Sequence, residues 1–394
     1  MRRIIVLCVV FSWVVNSHAQ NYDELKVPAY TLPALLKTVA GKSVNTVSDW
    51  EKIRRPEIVS LFEDNVYGQM PKQFDSIRFV VGNDIKNVMA GRAELKEIQI
   101  NVWKNGKRVS IHLIEFIPNS RRKAAPVFLL INNRAPDRTD PTRAIKAQFW
   151  PAETLIDSGY AVAAFHVSDA APDNADHFQD GVLQLYPEQL TMPNGMKAIG
   201  AWAWAASRIM DYFEQDQSID AKKVMVVGHS RGGKAALWTG AQDKRFAMVF
   251  ANCSGNTGVA IARRQYGETI KKINSSFPYW FCDNYKKFND NVDSLPVDQH
   301  MLVSLIAPRP LYTTNASKDL WADPTGSFLS LNEVEPVYAL YGKKSNLSKI
   351  APAQGDAIIA SVMGYHIREG IHDLTLFDWV NFIRFANYHI PKMK

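Results

Sequence analysis

Lys223-Val-Met-Val-Val-Gly-His-Ser-Arg-Gly-Gly-Lys-Ala-Ala-Leu237 is the stretch that decides the fold. Val224 to Val227 is a continuous apolar run of the kind found in a buried strand, and Lys234 to Leu237 reads as the start of a helix. Between them, Gly228-His229-Ser230-Arg231-Gly232 fits the pattern G-x-S-x-G. In a strand–turn–helix setting this pattern describes a nucleophile elbow, in which small residues let the backbone turn sharply enough to lift the serine hydroxyl out of the sheet. The plainer reading is a strand–helix turn with Ser230 as an N-terminal cap. The flanking strand and helix patterns favour the nucleophile.

Working outward, further unalternated apolar runs occur at Val127 to Ile131, Ala161 to Phe165, Met248 to Ala251 and Pro310 to Thr313. Such runs are typical of parallel strands covered on both faces. Helical patterns lie between them, notably Met196 to Phe213 and Lys234 to Ala241. Strand and helix in alternation predict a mostly parallel central sheet flanked by helices, a three-layer α/β sandwich. With the elbow, this is the α/β-hydrolase fold. Residues 76–118 alternate in β fashion, as in Ile98 to Val102 and Val109 to Leu113. Residues 20–75 form an N-terminal extension with one helical segment, Trp50 to Tyr67. Residues 134–158 and 168–194, rich in Pro, Asp and Asn, read as long loops over one sheet end, where binding residues often sit. No repeat, low-complexity tract or dividing linker stands out, so residues 20–394 read as a single catalytic domain.

Composition narrows the class. The chain has 394 residues, 46% apolar and 22% charged, as in an ordinary globular protein. Arg2 and Arg3, the apolar run Ile4 to Val15 and the small residues of Ser17-His18-Ala19 read as a secretory signal cleaved before Gln20. The run is too short to span a bilayer, and no later stretch is long enough. The expectation is an exported protein, periplasmic or extracellular, with no membrane contact after cleavage. Formal charge is +7, or +5 once Arg2 and Arg3 are removed, and no basic block carries interleaved aromatics, which excludes nucleic acid as a partner. Cys253 and Cys282 remain after cleavage and are able to pair in an oxidising compartment, but they are not spaced like a zinc site. No metal or cofactor is expected, and the protein is expected to work as a monomer. Ten tryptophans are many, and exposed indoles stack well on sugar rings.

An α/β-hydrolase orders its triad as nucleophile, acid, histidine. The histidine therefore lies near the C-terminus, where His366 and His372 compete. His372 follows Gly370 on a loop entering the amphipathic segment Thr375 to Tyr388, a place from which it reaches over the sheet end to Ser230. His366 closes the apolar run Ile358 to Tyr365 and reads as a packing or hydrogen-bonding residue. His372 is thus the expected base, taking the proton of Ser230 and returning it to the leaving alcohol. For the acid, Asp319 stands a few residues beyond the strand Pro310 to Thr313, while Asp323 precedes Pro324 and reads as a turn former. Asp319 is preferred, with Asp323 as the alternative. The backbone N–H of Arg231, the residue after the nucleophile, is the expected oxyanion donor, and its guanidinium is a candidate second one. Lys234 falls one helical turn after Ser230, where a cation suits a hydroxyl-rich or acidic substrate.

These residues resemble a specific family. The elbow Gly228-His229-Ser230-Arg231-Gly232-Gly233-Lys234 is similar to the G-x-S-R-x-G-K elbow of glucuronoyl esterases, carbohydrate esterase family 15. Segments matching its bacterial branch are Asn252 to Gly255, Arg263-Arg264, Tyr266-Gly267-Glu268, Tyr279-Trp280-Phe281, Leu295 to His300, Ala307 to Pro310, Asp319 to Pro324, Leu32-Pro33 and Val66-Tyr67-Gly68. The resemblance covers nearly all of the chain after the signal. It implies a serine esterase acting on the ester between a 4-O-methyl-glucuronic acid branch of glucuronoxylan and a lignin alcohol. It further implies that Arg231, Lys234, Glu268 and Trp321 surround the glucuronoyl group. Many relatives carry the acid as a Glu after the strand following the nucleophile. Here that strand ends in Asn252-Cys253-Ser254, with no carboxylate, and the resemblance then points to the later position, Asp319. The segment Asn132-Asn133-Arg134-Ala135-Pro136 also departs from the family pattern. Two other functions stay open at this stage. One is a carbohydrate acetyl (acetyl xylan) esterase on the same fold. The other is a non-catalytic carbohydrate-binding protein.

Overall fold

A computed structural model describes residues 20–392, so the signal read at residues 1–19 lies outside the described residues. Ten strands form one sheet: β1 Ser76–Asn87, β2 Ala93–Lys104, β3 Lys107–Pro118, β4 Ala125–Asn132, β5 Ala161–His166, β6 Ile219–His229, β7 Met248–Asn252, β8 Leu311–Ala316, β9 Ala357–Ile358 and β10 Met363–Arg368. Their spatial order is β1-β2-β3-β5-β4-β6-β7-β8-β10-β9. From β5 through β4, β6, β7 and β8 to β10 every pairing is parallel, and the antiparallel pairings lie at the two edges. The apolar runs read from sequence are the cores of β4, β5, β6, β7 and β8.

Alternation along the central strands divides the core into two layers. Val127, Leu129, Ile131, Val224 and Val226 face one side, where helices Ala198–Phe213, Arg231–Gln242 and Pro324–Leu340 pack. Phe128, Leu130, Met225 and Val227 face the other, against the short helix Ala152–Asp157 and the C-terminal helix Leu376–His389. The segment Trp50 to Tyr67 is helical throughout, though it begins and ends in π-helical turns. Its Trp50, Phe62 and Tyr67 are buried, with Tyr67 stacked 4.5 Å from Trp238 of the elbow helix. The extension is therefore part of the first layer. Residues 134–158 were expected to be loop throughout. The helix Ala152–Asp157 interrupts them because Ala152, Leu155 and Ile156 pack under the sheet. Among the described residues no helix is long and apolar enough to cross a membrane.

One buried carboxylate ties the carboxyl ends of the central strands together. Asp378, in the first turn of the C-terminal helix, is fully buried. Its Oδ1 accepts from Asn252 Nδ2 at 3.1 Å, Thr314 Oγ1 at 3.0 Å and His366 Nε2 at 2.9 Å. Its Oδ2 accepts from Arg368 Nε at 3.0 Å and from the N–H and hydroxyl of Thr375 at 2.8 and 2.9 Å. The ends of β7, β8 and β10 and the start of the helix thus meet on one side chain. Burial alone pushes this carboxyl up, but the hydrogen bond and charge of His366, then Arg368 and the Thr375 N–H, outweigh it and hold it below the ordinary carboxylate range.

Because the folded value is depressed, the stability that Asp378 contributes is present above its unfolded pKa, about 3.9, and is lost as pH falls through the lower folded value. Asp378→Asn removes the charge and leaves Arg368 without its buried counter-ion. It is expected to destabilise the fold by about 3–5 kcal/mol at neutral pH. The difference from wild type, read from urea denaturation at a series of pH values, is expected to be flat above about pH 5 and to shrink below about pH 4. A constant difference down to the lowest pH would show that the charge plays no part.

Candidate active site

Ser230 lies between β6 and the helix Arg231–Gln242 with φ 57° and ψ −124°. A non-glycine residue seldom adopts this conformation, and holding it costs about 1–3 kcal/mol. The neighbourhood enforces it. A Cβ at Gly228 would lie 1.9 Å from the Gly232 carbonyl oxygen, and one at Gly232 would lie 2.9 Å from Asn133 Oδ1. Only glycine fits at 228, where the obstacle is backbone, while a side chain at 232 would have to displace Asn133. The Ser230 N–H donates to the Asn252 carbonyl at 2.8 Å, which fastens the elbow to the end of β7. Ser230 is half-buried and stands at the N-terminus of the helix, where free N–H groups favour negative charge.

The loop after β10 carries His372, and the loop after β8 carries Asp319. His372 Nδ1 and Asp319 Oδ2 are 2.5 Å apart, with the carboxylate buried and the imidazole about one-third exposed. The two loops are joined by Lys318 N–H donating to the Gly370 carbonyl at 2.9 Å. Below them, Arg368 donates to the carbonyls of Glu369, Ile371 and Asp373 at 3.1, 2.7 and 2.6 Å, while its Nε remains on Asp378. The backbone that presents His372 is held by this one guanidinium. His366 is fully buried between the Tyr312 hydroxyl and Asp378, each at 2.9 Å. Asp323 caps the helix Pro324–Leu340 through the Gly326 N–H at 2.8 Å and pairs with Arg264 Nε at 2.9 Å. Both therefore hold structural positions, and the imidazole–carboxylate pair at the sheet end is His372 with Asp319.

His229, the variable residue of the elbow, was passed over in the sequence. It is fully buried, and its ring centroid lies 4.6 Å from that of His372. Asn252 turns its Nδ2 to Thr314 and Asp378, so its Oδ1 faces His229 Nδ1 at 2.5 Å and requires an N–H there. His229 Nε2 then accepts from Arg134 Nη2 at 2.9 Å. Burial, with His372 and Arg134 nearby, holds this imidazole well below its ordinary value, in keeping with a neutral ring. Arg134 comes from the loop after β4 that departs from the family pattern. Burial lowers its guanidinium as well.

Arg231 is held in place although its side chain stays partly exposed. Its Nη1 pairs with Asp173 Oδ2, and its guanidinium lies 5.1 Å over the ring of Trp280, which stacks on Phe277 at 3.7 Å. Asp173 Oδ1 also accepts from Tyr279 OH and Trp280 Nε1, both at 2.9 Å. Asp173 belongs to the loop 168–194. That loop was flagged for binding, but no local pattern singles this residue out. Lys234 is not a surface residue. Its Nζ donates to the Ser254 and Asn256 carbonyls at 2.7 and 2.6 Å and to Glu268 Oε2 at 2.7 Å. All three of its N–H bonds are thereby used inside the protein, so direct sugar contact would require one to be given up. Burial lowers this ammonium, against the pull of Glu268. Glu268 is paired with Lys234 and not with Arg263 or Arg264, which bind Asp298 and Asp323. The half-buried Trp321 accepts from Glu268 N–H at 2.9 Å through its carbonyl, so its backbone lies beside the Lys234–Glu268 pair. Cys253 and Cys282 are separate buried thiols, and the pairing considered from sequence does not occur.

Known esterases are similar to this chain along most of its length. Residues 100–342 match the family described as glucuronyl esterase, fungi. The chain is 37% identical to carbohydrate esterase MZ0003 of an unknown prokaryotic organism, over 94% of this chain and 92% of that one. It is 26% identical to the 4-O-methyl-glucuronoyl methylesterase of Schizophyllum commune, over 78% of this chain and 72% of that one. Among solved structures, a glucuronoyl esterase from Solibacter usitatus superposes with a TM-score of 0.86 at 36% identity, covering 93% of this chain and 99% of that one. With its parallel sheet, its elbow and these relatives, the chain is an esterase of the α/β-hydrolase fold and belongs to the glucuronoyl esterases of carbohydrate esterase family 15.

Proposed function

We propose that this enzyme cleaves the ester between 4-O-methyl-glucuronic acid of glucuronoxylan and lignin alcohols through an acyl-enzyme on Ser230. The observation that carries the reading is the 2.5 Å pair of His372 and Asp319 at the sheet end that also bears the strained serine. Ser230 Oγ attacks the ester carbonyl, and His372 Nε2 takes its proton. Asp319 keeps the other ring nitrogen protonated and stabilises the imidazolium. The oxyanion forms at the start of the helix Arg231–Gln242, where the Arg231 N–H receives it. His372 then protonates the leaving alcohol, and water repeats the sequence to release the uronic acid.

The Lys234–Glu268 pair, with Trp321 joined to it through the backbone, supports a sugar acid as the acyl group. Glu268 is held by Lys234, and the indole of Trp321 offers an apolar face. Arg231, steadied by Asp173 and Trp280, supplies a fixed positive charge beside the reacting carbonyl. We place the enzyme outside the cytoplasm, with residues 1–19 as its export signal and residues 20–394 as one catalytic domain.

Ser230→Ala and His372→Ala are each expected to lower turnover by about 10⁴- to 10⁶-fold without loss of fold. His366→Ala is expected instead to lower thermal stability, because it strips a buried partner from Asp378. Asp319→Asn is expected to lose about 10²- to 10⁴-fold, and Cys253→Glu in that background to regain part of it. Retention of wild-type turnover by Ser230→Ala would remove the nucleophile assignment.

Substrate class is tested by comparing kcat/KM on benzyl glucuronate and on nitrophenyl acetate. Trp321→Ala is expected to depress the first by about ten- to a hundredfold, the size of one lost buried contact, and the second far less. Asp173→Ala, which frees Arg231, is expected to depress both. Equal losses in Trp321→Ala, or a wild-type preference for the acetate, would favour the acetyl esterase.

A further inference from the structure

Three ligating side chains converge where the hydrolytic mechanism uses two. One ligand atom from each of Cys253, Asp319 and His372 lies within 4.8 Å of the others. Cys253 stands one residue beyond β7 in a left-handed conformation, φ 46°, with its N–H on the Thr314 carbonyl at 2.8 Å. Its side chain is buried with the Asp319 carboxylate, while His372 opens the cluster to solvent. Sequence spacing hides the cluster, since the ligands come from the ends of three different strands. Sulfur, imidazole and carboxylate together are the donor set of Zn²⁺ and its softer relatives. Hard cations such as Mg²⁺ prefer all-oxygen sites. Three protein ligands leave a fourth tetrahedral position for water. Bonds of about 2.0–2.3 Å set tetrahedral donors roughly 3.5 Å apart, so His372 Nδ1 and Asp319 Oδ2, now 2.5 Å apart, have to open by about 1 Å to admit the cation, a modest shift for side chains at loop ends.

We propose that Cys253, Asp319 and His372 form an inhibitory site for a soft divalent cation of the Zn²⁺ class, bound through the Cys253 sulfur, a carboxylate oxygen of Asp319 and Nδ1 of His372. The proton balance explains the inhibition. In the working enzyme His372 carries its proton on Nδ1, facing Asp319, and keeps Nε2 free for the serine. A cation on Nδ1 displaces that proton to Nε2, and the thiol proton leaves to solvent as the metal–sulfur bond forms. Nothing is oxidised or reduced. Nε2 then bears hydrogen and no longer accepts the proton of Ser230. The cation stops proton transfer without occupying the ester pocket, so kcat falls while KM stays nearly unchanged. The inhibitory effect rests on His372 being the base, as proposed above, whereas the binding does not.

Binding is tested first in Ser230→Ala, titrated with Cd²⁺ and followed by the ultraviolet charge-transfer band of a cadmium–thiolate bond. One equivalent is expected to develop the band. Cys253→Ala and Cys253→Ser in the same background are expected to abolish it even though Cys282 remains. Zn²⁺ is then titrated against nitrophenyl acetate hydrolysis by enzyme with Ser230 intact. Its inhibition constant is expected to weaken by at least about 10- to 100-fold in both Cys253 variants, each measured against its own uninhibited rate, and Mg²⁺ is expected to have no effect. Absence of the band, unchanged Zn²⁺ sensitivity in folded Cys253 variants, or equal inhibition by Mg²⁺ would overturn the site. A band without inhibition would overturn its inhibitory role.

Discussion

The rest of the site depends on the buried carboxylate of Asp378. An imidazole–carboxylate pair carried on two loops keeps its geometry only if those loops are held still, and small displacements of reacting groups reduce rates steeply. Here the holding comes from beneath. Asp378 receives donors from β7, β8 and β10, and its partner Arg368 passes the constraint upward by binding the carbonyls around His372. The same carboxylate orients Asn252, which sets the tautomer of His229 and so places Arg134. A low-dielectric setting strengthens each of these bonds and penalises any one left unmade. The network is therefore rigid, and it transmits position from the helix start to the imidazole.

A second constraint is steric. The elbow is tight, since a Cβ at Gly228 would strike the Gly232 carbonyl, and Ser230 takes a strained conformation within it. The stacked Phe277–Trp280 pair and Asp173 then fix the residue that follows. Hydrogen bonds from below and close backbone contact at the turn thus divide the work. One sets the histidine loop and the other sets the nucleophile.

Much of this was legible in the residues. The parallel sheet was visible because strands buried on both faces are apolar without alternation, as in Val127 to Ile131 and Val224 to Val227. His372 was preferred over His366 for its loop after the last strand, and Asp319 over Asp323 for its place just beyond the strand Pro310 to Thr313, and the structure brings these two side chains together. What was not legible depends on distance in space. Asp378 carries no local sign in the sequence that donors from three strands would meet on it. Asp173 lay in a loop whose length was informative but whose path was not. Lys234 was read as a cation for the substrate, and its internal acceptors were hidden because the Ser254 and Asn256 carbonyls are backbone groups that no side-chain pattern reveals.

The neighbouring ends of β7 and β8 have a consequence for how such a site changes over generations. The two strands run parallel and in register, Asn252 opposite Thr314, and the residues just past them, Cys253 and Asp319, approach the same imidazole. The fold thus offers two adjacent sockets for one acid. A lineage is able to gain a carboxylate in one socket before losing it from the other, and the histidine never has to move. Moving a carboxylate between the two strands would then leave the imidazole where it is, and in this chain a small buried thiol occupies the socket beyond β7.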